Sequence, residues 1–436
     1  MAVFRSDAPF QAATPEGRIH WRVLGGLVAL NIVLRTVWLL YMHPPQYGDF
    51  DWYFTRAVEL AQGKGYVWNG HFTAYWPIGW PLFLSLILRL TGPHVTAGFV
   101  TNAVLSIIIV VLVYLVALQV FSSQRIAAAA ALVYTLLPSH ILWNAVLGSE
   151  ELFTVLLMLW LWLYLRSDRA AGRRAGGWVL AAGAALGLSC IVRPIPLLFP
   201  AALFVYERWI RLRSWRAAGG RVFATIAAMG VAILPVTVRN ALRMGHFILV
   251  STNGGVNLWQ GTRIDGGYYW SWLPWENPLL AAHGDEVLQD HLGKQAALQY
   301  ITAHPVIWLY HGLIKIKDLY KDDVNAVWYT FRVVSHDGGV VWAWNQICNW
   351  GYWLFMALCA LGVAGLIRVR FTGWRPLLLP FTYVVYNSLV FIAFPAWDRF
   401  RYPLMPCFAL LAGCGLAWSL GWLRAGLPER LRANRQ

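Results

Sequence analysis

Apolar residues run along this chain in long uninterrupted stretches, not in the alternation expected of half-buried strands. A helix needs about 20 apolar residues to cross a bilayer. Stretches near or above that length recur at roughly 21–42, 95–121, 126–143, 151–166, 177–192, 194–207, 222–238, 350–367, 376–394 and 403–423. They predict about ten transmembrane helices, two of them short. Ala-Gly runs such as Leu180–Gly187 suit close helix packing. Two long segments, 43–94 and 239–349, have a different texture. Phe50–Gln62 brings Phe50, Tyr53, Phe54, Val58 and Ala61 to one helical face and stops at Gly63, the pattern of a helix lying in the membrane interface. Pro77–Leu90 is apolar but short, so it reads as re-entrant or interfacial, and Val287–Ala303 and Pro305–Lys321 read as further amphipathic helices. No period of 20–50 residues marks a repeat array. The expected architecture is an all-α polytopic membrane protein with a single transmembrane domain over residues 1–436. Residues 43–94 form its first outer loop and 239–349 its large outer loop.

Composition agrees with that pattern. Of 436 residues 58% are hydrophobic and 13% charged, about half of the ~25% charge of a soluble domain. Such a chain has too few charges to cover a soluble surface. An ordinary cytosolic enzyme, a disordered protein and a disulfide-stapled scaffold are all excluded. The five cysteines, Cys190, Cys348, Cys359, Cys407 and Cys414, show no metal-ligand spacing.

The net charge of +15 on a soluble protein would suggest nucleic acid. No basic stripe interleaved with aromatics occurs, and most arginines sit in short clusters between apolar runs. These clusters are Arg166/Arg169/Arg173/Arg174, Arg208/Arg211/Arg213/Arg216/Arg221, Arg368/Arg370/Arg375 and Arg424/Arg430/Arg432/Arg435. With ten spans, and with Arg5 and Arg18 inside, every cluster falls on the cytoplasmic side. Both termini are then cytoplasmic, and the segments 43–94, 144–150, around Arg193, 239–349 and 395–402 face outward.

The unusual polar residues gather in those outward segments. Asp49 and Asp51 open the first interfacial helix, Glu150 and Glu151 begin the fourth span, and Arg193 stands in Val192-Arg193-Pro194. Arg239-Asn240 ends the seventh span, Ser251–Gly255 with Asn253 follows it, and Asp398, Arg399 and Arg401 precede the last span. Polar groups at this depth are costly unless paired or used. Each also has a blander reading: Asp49 as a helix N-cap, Glu150 as a first-turn carboxylate favoured by the helix dipole, the arginines as snorkelling anchors, Ser251–Gly255 as a tight turn. Asp49-Phe50-Asp51 could hold a divalent cation, but two carboxylates two apart on a helix diverge by about 200°. Joint ligation would need a non-helical start.

Several segments together resemble bacterial family-39-type glycosyltransferases of the GT-C superfamily, relatives of protein O-mannosyltransferases and aminoarabinose transferases. They are Gly48-Asp49 through Tyr53, Gly63–Tyr66, Ala74-Tyr75-Trp76-Pro77-Ile78-Gly79-Trp80-Pro81, Ser149–Phe153, Val192-Arg193-Pro194, Pro235–Asn240, Ser251–Trp259, His304-Pro305 with Lys315, and Arg399–Pro406. They occur in collinear order over nearly the whole chain. Trp76 departs from the commoner Pro of the first-loop motif, and no C-terminal outer domain follows the last span, which leaves the acceptor open.

The resemblance implies a GT-C fold and transfer of a sugar from a polyprenyl-phosphate donor to an acceptor hydroxyl outside the cytoplasm, with inversion. It implies Asp49 as the catalytic base and Glu150 as the second acidic position. Tyr53, Arg193, Arg239, Arg399 and Arg401 are candidates for the donor and its phosphate, and Asp51, Tyr75 and Asn253 for substrate. No cofactor is required, and the acceptor is a glycan, lipid or protein. The expected location is a bacterial inner or plasma membrane. A polymerase or ligase with a lipid-diphosphate donor, leaning on Arg239, is the alternative enzyme. A sugar-lipid transporter is the alternative outside enzymology, to which only Arg35 inside the first span points.

Overall fold

The computed structural model describes residues 19–331 and 337–422. The chain opens with α1 (Trp21–Tyr41), α2 (Asp49–Ala61), a hairpin of β1 (Val67–Trp68) and β2 (His71–Phe72), and α3 (Gly79–Thr91). There follow α4 (Val95–Phe121), α5 (Gln124–Thr135), α6 (Pro138–Leu142), α7 (Glu150–Ser167), α8 (Gly172–Val192), α9 (Phe199–Val205) and α10 (Trp215–Met244). Four helices, α11 (Gly254–Gln260), α12 (Glu286–Ala303), α13 (Pro305–Tyr320) and α14 (Asn325–Phe331), precede the closing group of α15 (Gly338–Arg368), α16 (Trp374–Val390) and α17 (Met405–Ser419).

Among the described residues six helical stretches are long and apolar enough to cross a membrane: α1, α4, α8, α10, α15 and Asp398–Ser419, which contains α17. The expected span 126–143 is a bent pair, α5 and the Pro138–Ala145 stretch, at 64° to one another, and counts as a seventh if taken as one span. Pro138 causes the break, because the residue before a proline is pushed out of the helical region and Leu137 has ψ 115°. The remaining expected spans fall on α7, on the short helical turns from Ile195 to Ile210, and on α16. The chain is an all-α polytopic membrane protein.

Bare backbone brings the helices together, as expected where lipid tails offer no hydrophobic drive between them. A Cβ on Gly415 would lie 1.9 Å from the Leu358 carbonyl oxygen, and one on Gly362 would lie 2.0 Å from that of Leu411, so α15 and α17 touch main chain to main chain. Gly183 and Gly187 do the same for α8 against Thr225 and Met229 of α10.

The two ends of the bundle differ. At one end Asp168 pairs with Arg211 (2.9 Å), Arg213 (2.7 Å) and Arg221 (3.1 Å), and Glu207 with Arg213 (2.6 Å) and Arg221 (3.3 Å). These arginines, read above as topology signals, are thus also structural. Arg5, Arg18 and the 424–435 cluster lie outside the described residues. At the other end gather residues 43–94, the 144–150 turn and the region between α10 and α15. Helix α10 runs on to Met244, where Gly245 at φ +71° ends it, so that region spans 245–337.

Candidate active site

The site forms where the ends of four helical elements meet. Gly48, at φ +59°, turns the chain into α2, whose first residue is Asp49 and whose buried face carries Phe50, Tyr53 and Ala57. Glu150 is the first residue of α7, where the helix dipole favours a carboxylate. The turn before it is held from three sides. Trp80 donates its indole N–H to the Leu147 carbonyl (2.9 Å), Asn102 donates to that of Val146 (2.8 Å), and Gln46 both donates to Ala145 (3.1 Å) and accepts from the Leu147 N–H (2.8 Å). Arg193 follows α8, and Arg399 lies in a short 3₁₀ segment, Asp398–Leu404, ahead of α17.

Two carboxylate–guanidinium pairs result. Arg399 Nη2 donates to Asp49 Oδ2 at 2.9 Å, and its Nη1 donates to the Tyr329 hydroxyl at 3.1 Å. Arg193 donates through Nη2 to Glu150 Oε1 and through Nε to Ser149 Oγ (2.9 Å). One ring serves both, since the guanidinium carbon lies 4.9 Å (Arg399) and 5.6 Å (Arg193) from the Phe400 centroid. Tyr53, one turn along α2, feels Asp49, Glu150, Arg193 and Arg399 together. Burial first, and the Asp49 charge second, push its phenol up, so it remains protonated. The pairs differ in access, for the Asp49 side chain is 34% exposed and that of Glu150 is fully enclosed. Gly148 makes room for Glu150, since a Cβ there would lie 2.0 Å from Oε2. The arrangement offers two cations for an anionic oxygen group and an accessible carboxylate beside them for a proton.

The other predicted residues lie outside these pairs. Arg239 donates to the carbonyls of Thr73 (2.7 Å) and Tyr66 (2.8 Å), tying the end of α10 to the first loop. Arg401, 1% exposed, donates to the carbonyls of Leu319 (2.7 Å) and Asp322 (2.9 Å) and pairs with Asp323 (3.0 Å). Both guanidiniums are occupied by backbone oxygens. Asp51 is exposed, and α2 is helical from Asp49 onward, the geometry in which the two carboxylates diverge. Among the described residues no three His, Cys, Asp or Glu side chains could together hold a metal ion. Tyr75 packs on Trp68 (5.5 Å) and Trp76 (4.8 Å) and senses the Asp49 charge. Asn253 sits at the start of α11 and accepts from the Ser251 hydroxyl (3.1 Å).

Three contributors were missed in the sequence. Tyr329 has no local signal at all. Glu286, which follows the capping Asp285, accepts from the Thr73 hydroxyl, the Ala74 N–H (2.7 Å) and the Thr252 hydroxyl (3.2 Å), closing the large loop onto the first. The β1–β2 hairpin that shapes the first loop did carry a signal, Asn69-Gly70, and both residues have positive φ (51° and 82°).

The family model for dolichyl-phosphate-mannose-protein mannosyltransferase matches residues 76–238, a stretch that holds Glu150 and Arg193 but neither Asp49 nor Arg399. No curated protein matches the chain in sequence. Among solved structures, the chain is similar to the oligosaccharyltransferase AglB from Archaeoglobus fulgidus in complex with an inhibitory peptide and a dolichol-phosphate. That match has a TM-score of 0.58 at 13% identity, over 96% of this chain and 52% of the other. The apo form of the A. fulgidus enzyme gives 0.57 at 14%, with the same coverage. ArnT from Cupriavidus metallidurans bound to undecaprenyl phosphate gives 0.44 at 15%, over 92% and 78%, too low to bear on the fold. The chain thus shares the membrane fold of AglB and spans about half the length of that enzyme.

Proposed function

We propose that this chain, whose fold is that of the GT-C glycosyltransferases, moves a sugar from a polyprenyl-phosphate donor to an acceptor hydroxyl. The observation that carries this reading is the convergence of two carboxylate–arginine pairs on Phe400 and Tyr53 at the loop-bearing end of the bundle. The A. fulgidus neighbour was solved with a dolichol-phosphate bound, which supports the donor class.

In the proposed reaction the acceptor oxygen attacks the anomeric carbon and the bond from that carbon to the phosphate oxygen breaks. Polyprenyl phosphate leaves with the electron pair. Arg399 and Arg193 neutralise the phosphate as its charge develops. Asp49, the accessible carboxylate, takes the acceptor proton, a role that typically supplies about 10²–10⁴ in rate. Glu150, enclosed below it, holds Arg193 in place. A single displacement of this kind inverts the anomeric centre, and the chemistry as written calls on no cofactor. Arg239 and Arg401 act as struts, and an alternative that leans on Arg239 has its guanidinium already committed to Tyr66 and Thr73. The arginine clusters support a cytoplasmic location for both termini and an outward-facing site in a bacterial plasma membrane.

The test is a transfer assay with purified protein in nanodiscs, supplied with a panel of polyprenyl-phosphate hexoses and pentoses, alongside mass spectrometry of outer-surface glycans from a deletion strain. A sugar missing from the strain and transferred in vitro is the expected result. Flux of the sugar lipid across liposomes without any new glycosidic bond would replace this reading with transport.

A further inference from the structure

Asp398 and Arg401 are buried charges, 4% and 1% exposed, in the same short segment as Arg399. Burying charge is expensive, and apolar replacements of such groups are often neutral or stabilising. Their placement therefore asks for an explanation. In a 3₁₀ segment residues three apart lie on one side, and Asp398 and Arg401 both turn toward the junction of α13 and α14. Asp398 Oδ2 accepts the backbone N–H groups of Val324 (2.7 Å) and Asn325 (2.8 Å), the start of α14. Arg401 takes the Leu319 and Asp322 carbonyls at the end of α13, pairs with Asp323, and lies 3.8 Å from the centroid of the Tyr352 ring. Every backbone partner of the two falls within residues 319–325. Arg399, between them, points the other way, to Asp49 and to Tyr329, one turn into α14. Asp398 thereby fixes both the chain that carries Arg399 and the helix that supplies its hydroxyl acceptor.

We infer that Asp398 and Arg401 form a latch on the α13–α14 junction that acts as the positioning device for the Arg399 guanidinium, and through it for the donor phosphate. The latch rests on the reading of Arg399 as a phosphate ligand. It predicts that its residues matter to donor binding only while Arg399 is present.

The test is a double-mutant cycle on binding of undecaprenyl phosphate to the full chain in nanodiscs, with thermal unfolding followed in parallel. Arg399→Ala should weaken binding about 10-fold or more, the loss of a charge-assisted contact. Asp398→Asn keeps the shape and one acceptor oxygen, and Tyr329→Phe removes only the hydroxyl. Each should weaken binding about 3- to 10-fold in the native background and not at all beside Arg399→Ala, a coupling expected of groups that act through one another. If Asp398→Asn does not yield folded protein, Arg401→Lys carries the same cycle. Equal losses of binding in both backgrounds would overturn the latch and leave the function standing. Unchanged binding in Arg399→Ala alone would overturn both.

Discussion

Asp49→Asn removes one negative charge 2.9 Å from Arg399 and almost nothing else. The proposed base and the proposed phosphate ligand hold each other, so a donor phosphate competes with Asp49 for Arg399. The strength of that competition follows from exposure. Asp49 is one-third exposed and Arg399 only 11%, so the pair lies between a surface and a buried ion pair and is worth about 1 kcal/mol. Asparagine accepts a weaker hydrogen bond from the same guanidinium. The variant should therefore bind undecaprenyl phosphate more tightly, by roughly 5-fold, since 1.4 kcal/mol is tenfold. Transfer should fall in the same protein by about 10²–10⁴. The assay pairs equilibrium binding of the lipid phosphate with single-turnover transfer in nanodiscs. An Asp49→Asn protein that binds the lipid phosphate more weakly than wild type would show that Asp49 helps to hold the donor, and the competition argued here would be refuted. Retained wild-type transfer would remove Asp49 as the base.

Three further outcomes follow from the geometry. Gly148→Ala places a Cβ 2.0 Å from Glu150 Oε2; because the enclosed Glu150 can yield only by shifting away from Arg193, transfer should drop by roughly 10- to 100-fold and the melting temperature should fall with it, as kinetics beside a thermal melt will show. Gly415→Val has no such escape, since the obstacle is the Leu358 carbonyl, and should destabilise the α15–α17 pair by about 3 kcal/mol, read as an earlier unfolding transition in detergent. Lys315 is enclosed, donates to the Gly261 carbonyl (2.9 Å), and is pushed by burial from 10.5 down to about 8. The unfolded chain then holds the extra proton between pH 8 and 10.5, so stability should rise with pH across that window, and Lys315→Met should abolish the rise in melts at pH 7–10.5.

The helices were legible because membrane burial makes an apolar run of a given length nearly equivalent to a span. What blurred the count was local. Leu137 before Pro138 bends one span. The face of α2 was legible for the same reason of periodicity, and Phe50 and Tyr53 are buried as the spacing requires. The pairing within the site was not. Asp49 and Arg399 are 350 positions apart, and no local rule links them.

Four arginines that look alike in the sequence have separated by what surrounds them. Arg399 ends on the part-exposed Asp49, where an incoming anion can compete for it, and Arg193 ends on the enclosed Glu150, which holds it beside the same site. Arg239 ends on the backbone carbonyls of Thr73 and Tyr66, and Arg401 on those of Leu319 and Asp322 and on the buried Asp323 carboxylate, where no substrate can replace a partner that belongs to the fold. The distinction is one of exchangeability. A guanidinium held by a side chain near solvent can trade it for phosphate at a net difference of about 1 kcal/mol, whereas releasing a buried carbonyl leaves an unsatisfied polar group at about 1–3 kcal/mol. Arg399 and Arg401 stand two residues apart and fall on opposite sides of that line. The short helical turn of Asp398–Leu404 sends one inward and one to the site, a division decided by backbone geometry that residue type alone does not encode.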